Sequence, residues 1–155
     1  ASVTRRSSSS RPADPAVDTV EPMSVSLSHC YVAVDVPDAA LEFYRDALGL
    51  ELRSDVSSEG FRWVTLSPPD QPELEVVLVE PHAGRVEQDG DALLSLLKRG
   101  SLNGLIFRTD DLDTAFENVR ASGAEVIQEP KAHPWGVTDC AFRDPSGTMI
   151  RLTQA

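Results

Sequence analysis

HCYVAVDVPDAALEFYRDALG, His29 to Gly49, reads as a strand running into a helix, and NGLIFRTDDLDTAFENVRASG, Asn103 to Gly123, reads the same way. In the first copy a Val-rich run predicts a strand over His29 to Val36. Pro37 suits the first turn of a helix, where its missing N–H costs nothing, and Asp38 complements the helix dipole. Ala40, Leu41, Tyr44, Ala47 and Leu48 recur at helical spacing, and Gly49 can end the helix in the left-handed conformation. In the second copy Leu102 to Thr109 is the strand, and Asp110 or Asp111 caps the helix. Leu112, Ala115, Phe116 and Val119 are its buried stripe, ended by Gly123.

Gly49 and Gly123 stand 74 residues apart. The same step carries His29 onto Asn103, Val32 onto Ile106, and Val76-Val77-Leu78 onto Ile150-Arg151-Leu152. Three strands are expected after each helix. They are Leu50 to Ser54, Phe61 to Ser67 and Glu73 to Glu80, then Ala124 to Gln128, Val137 to Arg143 and Thr148 to Gln154. Such a repeat predicts an α+β fold of two tandem βαβββ modules, each leaving one sheet face free of its helix. Residues 24–80 and 101–155 are the modules, joined by a connector over 81–100. The connector holds a short helix, Ala92 to Lys98, with Asp91 as its N-cap. Residues 1–23 are rich in Ser, Pro, Arg and Asp with no hydrophobic period, and are expected to be disordered.

The formal net charge is −11 and the modules carry no basic cluster, which argues against a nucleic-acid partner. No apolar run approaches the ~20 residues that span a bilayer, so no membrane partner is expected. Arg5-Arg6 is followed by Ser7 to Ser10 rather than by an apolar stretch, so this is not a secretory signal. Cys30 and Cys140 sit among apolar neighbours in strands, and reduced thiols there point to the cytoplasm.

Strand alternation sorts the side chains by face. Cys30, Val32, Val34, Val76 and Leu78 should pack on the helices, leaving His29, Tyr31, Ala33, Glu75, Val77 and Val79 toward the cleft. The 74-residue step places Asn103, Leu105 and Phe107 in the cleft from module two, with Met149, Arg151 and Thr153 opposite. Trp63, Thr65 and Asp139 should join them.

VDVPDAALEFYRDALG, Val34 to Gly49, resembles the opening of the vicinal oxygen chelate superfamily, which includes glyoxalases, extradiol dioxygenases and bleomycin-resistance proteins. FRDPSGTMIRLTQ, Phe142 to Gln154, resembles its final hairpin and strand. The resemblance covers Ser24 to Ala155 and implies paired βαβββ modules forming a curved mixed sheet around a central cleft, commonly in a homodimer. In its metal-dependent members four cleft positions hold the metal, and carried over these are His29, Val77, Asn103 and Arg151. His29 alone is an ordinary transition-metal ligand; Val77 has no donor, Asn103 a weak one, and Arg151 repels a cation. At ~4 Å and an effective dielectric of ~20, unit charges repel by roughly 4 kcal/mol, and a divalent ion by about twice that. No metal and no cofactor are therefore expected.

His29, Tyr31, Trp63, Asn103, Phe107, Trp135 and Arg151 are the candidate ligand-binding residues. Trp135 lies in the turn-like His133-Pro134-Trp135-Gly136, where a ring at a rim can stack on a planar ligand. Arg151 needs an anion, supplied internally by Glu75 or Asp139 or brought by a ligand. His133 reads as a surface loop residue. The pattern suits a glyoxalase/bleomycin-resistance-like protein that binds or sequesters a small molecule, with a degenerate metal site. The alternatives are a metal-dependent glyoxalase-like lyase or dioxygenase with a rearranged site, and metal-free acid–base chemistry with His29 as base.

Overall fold

The computed structural model describes residues 9–155. Residues 9–28 have no helix or strand and are exposed throughout; residues 1–8 of the segment expected to be disordered lie outside the described residues. Module one runs β1 (His29–Ala33), α1 (Pro37–Leu41), a wide helical turn (Glu42–Ala47), β2 (Glu51–Ser58), β3 (Phe61–Ser67) and β4 (Glu75–Val79). After α2 (Glu87–Lys98) comes module two: β5 (Leu105–Thr109), α3 (Leu112–Ala121), β6 (Glu125–Ala132), β7 (Thr138–Arg143) and β8 (Met149–Gln154).

Each module folds its four strands into one mixed sheet, in the orders β1-β4-β3-β2 and β5-β8-β7-β6. The first and last strands of each module are parallel, as a strand–helix crossover requires, and the other neighbours are antiparallel. The edge strands β2 and β6 run longer than expected; Pro130 sits in β6, where an edge tolerates its missing N–H. α2 begins at Glu87, five residues before the expected start. The Val86 carbonyl accepts the Asp89 and Gly90 N–H groups, so Asp91 lies inside the helix and binds His82 instead of capping.

The core is shared between the helix-bearing faces of both sheets. Val32, Val34, Tyr44, Leu66 and Leu78 from module one pack in one cluster with Phe116, Phe142, Ile150 and Leu152 from module two. Burying each such side chain contributes about 1.5–3 kcal/mol. A polar clasp crosses the same side. The Tyr44 hydroxyl donates to Asp144 Oδ2 at 2.7 Å, and the Asp35 N–H donates to Ser146 Oγ at 2.9 Å. Asp144 Oδ1 accepts the backbone N–H groups of Ser146, Gly147 and Thr148, which fixes the Asp144–Gly147 turn.

The wide turn in module one moves the repeat's register. The Leu48 N–H bonds back five residues to the Phe43 carbonyl at 3.0 Å, so this turn holds one residue more than an ordinary α-turn. Before it, Cys30 and Val32 match Leu105 and Phe107 in the core, 75 residues on; after it, Gly49 and Gly123 match at 74. The expectation that Leu105 and Phe107 face the cleft is therefore corrected. Both pack on the shared core, and Ile106 is the outward residue at 69% exposure.

Candidate functional site

On module one the cleft-facing residues are those that alternation predicts. Trp63 lies opposite Val79 and Thr65 opposite Val77, and Val77, Val79, Ala83, Phe61 and Trp63 form a second apolar cluster. β1 adds Tyr31, 71% exposed, and Ala33. α2 closes over this face with Leu93, and the start of module two contributes Asn103 and Gly104. Together they line a cavity of about 560 Å³ whose one charged side chain is Arg85. At the end of the face His29 Nε2 meets Glu75 Oε2 at 2.6 Å, since β1 and β4 pair these residues directly, and His29 Nδ1 lies 2.9 Å from Ser28 Oγ.

Module two presents a charged network. Arg151 Nη1 lies 3.0 Å from Asp139 Oδ2, on neighbouring strands β8 and β7. Asp139 Oδ1 also takes His133 Nε2 at 2.8 Å and Gln128 Nε2 at 2.7 Å. Burial by itself would raise the Asp139 carboxyl, but hydrogen bonds from His133, Gln128 and Arg151, with the Arg151 charge, hold it below the usual carboxylate range. His133 lies on the loop between β6 and β7 as expected but not at its surface: its side chain is nearly covered and held by Asp139. The Trp135 ring stacks on the His133 ring at 4.4 Å and is itself 72% exposed.

The counterpart of His29 is Gly104 rather than Asn103. Leu105 pairs with Ile150, which sets Gly104 beside Met149 as His29 sits beside Glu75. A Cβ at 104 would lie 1.7 Å from the Met149 carbonyl oxygen, so the position has no room for a donor side chain. Asn103 instead lines the cavity. The superfamily resemblance would then carry its four metal positions onto His29, Val77, Gly104 and Arg151, and these residues do not fit a divalent cation. Among the described residues of one chain, no three His, Cys, Asp or Glu side chains gather to hold a metal ion.

Of the predicted site residues, Tyr31, Trp63 and Asn103 come together in the cavity. His29 stands at the end of that face, while Arg151 and Trp135 belong to the network on module two. Phe107 is in the core and leaves the site. Arg85, Leu93 and Ala83 were missed, because they come from the connector, which has no counterpart in the repeat. The thiols offer no nucleophile: burial raises Cys30, and burial pushes Cys140 up to about 11.

Comparison with known proteins follows the same lines. Residues 26–152 match the Glyoxalase/Bleomycin resistance protein/Dioxygenase superfamily. The crystal structure of UcmS2 is similar at 31% identity and a TM-score of 0.77, over 86% of this chain and 100% of that one. TnmS3, an antibiotic binding protein from Streptomyces sp. CB03234, is similar at 29% identity and a TM-score of 0.67, over 86% of this chain and 98% of that one. YurT, an uncharacterised protein of Bacillus subtilis (strain 168), is 28% identical over 123 residues, 79% of this chain and 94% of its own length. With the repeated modules and the cleft faces in place, the chain belongs to the glyoxalase/bleomycin resistance protein/dioxygenase superfamily.

Proposed function

We propose that the protein binds a planar small molecule without a metal ion and acts by sequestering it. The observation that carries this reading is Arg151, fixed by Asp139 at 3.0 Å on the strand where an oxygen donor would be needed. A guanidinium has no lone pair to offer a metal, and by holding Asp139 it also engages the neighbouring carboxylate. Tyr31 and Trp63 supply ring surface on one face and Trp135 on the other, which suits a flat, partly apolar ligand. The likeness to an antibiotic binding protein supports the same class of ligand. Arg151 takes its anion internally, so its role here is to orient Asp139 and His133 rather than to capture a charged ligand.

The binding unit is a homodimer in this proposal. Tyr31 and Ile106 occupy matching positions of the two modules, both exposed, and the contacts joining the modules lie on their helix side. A partner's module two laid on module one would cover both residues and close the cleft. The reduced cysteines fit a cytoplasmic protein. The purified protein is expected to carry no stoichiometric metal by elemental analysis and to lose Trp fluorescence on binding a planar compound. A transition metal present at one per chain and lost in His29→Ala would overturn the proposal.

One observation favours catalysis instead: the His29–Glu75 pair has the geometry of a carboxylate-oriented general base. Turnover of a bound ligand, abolished in His29→Gln with binding retained, would establish that second reading.

A further inference from the structure

We propose that the cavity of module one selects ligands that carry a carboxylate or a comparable anionic group, and that Arg85 is the selecting residue. This rests on the binding proposal above and names the ligand class for that site. The chain has 25 Asp and Glu against 14 Lys and Arg, yet the lining of this cavity contains no carboxylate and one guanidinium. The larger groove of about 940 Å³ on the helix side shows the opposite balance, with Asp35, Glu42, Asp46, Glu125 and Asp144 in its wall against Lys98 and Arg143. Acidity is thus excluded locally from the one cavity that also holds Tyr31 and Trp63.

Arg85 is mounted rather than loose. Its Nη1 donates to the carbonyl oxygens of Pro81 at 3.1 Å and Ala83 at 3.5 Å, which orients the guanidinium without neutralising it. The loop that carries it is fastened to α2, since His82 Nε2 meets Asp91 Oδ1 at 2.8 Å. Gly90 lets the His82 ring lie against the helix; a Cβ there would be 2.2 Å from that ring. Arg85 joins none of the ion pairs among the described residues. Arg151, by contrast, already has Asp139. An oriented, charge-unpaired guanidinium beside an apolar floor of Trp63, Val79 and Ala83 is suited to an apolar ring system ending in a carboxylate.

The test uses two probes of equal shape, 2-naphthoate and 2-naphthamide, titrated calorimetrically into the full chain. The naphthoate is expected to bind about tenfold more tightly, with the preference falling as salt is raised. Arg85→Gln should reduce the preference to about one, Arg85→Lys should keep part of it, and Arg99→Gln should leave it whole. The indole N–H resonance of Trp63 should shift with the naphthoate, which locates the probe. Equal binding of the two probes in the unaltered protein, or a preference that survives Arg85→Gln, overturns the inference and leaves the binding proposal standing. If neither probe binds, the inference is overturned, and the binding proposal is judged by its own fluorescence panel.

Discussion

The two cleft faces share strand order and pairing, yet one satisfies its charges and the other leaves one open. On module two Asp139 collects Arg151, His133 and Gln128, so the face is neutralised by its own residues. On module one the His29–Glu75 pair stands at one end, and the middle is Trp63, Val77 and Val79, with Arg85, which joins no ion pair among the described residues, lining the same cavity. The same scaffold thus supports a rigid polar wall and an open apolar pocket. What decides between them is which residues β7 and the connector bring to the face, since β7 supplies Asp139 and the connector supplies Arg85.

The largest expected effect comes from breaking the closed network. Asp139→Ala leaves a largely covered guanidinium and a fixed imidazole without their acceptor, and should cost about 3 kcal/mol in urea unfolding. The added change Arg151→Met should recover much of that loss, and a double-mutant cycle would measure the coupling. Phe107→Ala should follow closely at about 2–3 kcal/mol because its ring packs on the core. Trp135→Ala should leave stability nearly unchanged and weaken ligand binding, which separates a core ring from a rim ring by measurement.

Acidification sharpens the contrast between the buried carboxylates. Asp139 is held below its ordinary value, so the stability it gives is present above the unfolded value of 3.8 and is lost as pH falls through the folded one. Asp144 is raised, chiefly by burial, so its charged form weakens the fold at neutral pH and protonation relieves this. Stability measured from pH 5 downward should therefore fall less steeply in Asp139→Asn than in the parent protein. A steeper fall in that variant would contradict the network.

Ile106→Asp tests the proposed pairing of faces, and sedimentation should show the dimer shifting to monomer with the fold retained. The smallest effect belongs to His29→Gln. A half-exposed polar pair of this kind contributes about 0–1 kcal/mol, so unfolding should move by less than about 0.5 kcal/mol and metal content should not change.

Much of module one was legible from the chain alone. Val76, Leu78, Val32 and Val34 went to the core as alternation required, because a strand's two-residue period is a local property. The Asp111 cap was legible for the same reason, its Oδ1 accepting the Thr114 N–H at 3.1 Å. The face of β5 was not. One extra residue in the turn before Gly49 left the two helix-ending glycines in register and put the strands ahead of them out of register, and a one-residue slip exchanges the faces of a strand.

The sequence by itself determined the two modules and the helix-facing core of module one, because each follows from short-range period or from residue type. The tertiary structure decided what Arg151 binds, that His133 is held rather than free, and that Arg85 lines the same cavity as Trp63. Those facts depend on which side chains strands and loops far apart in the chain bring within about 3 Å, the range over which a hydrogen bond forms.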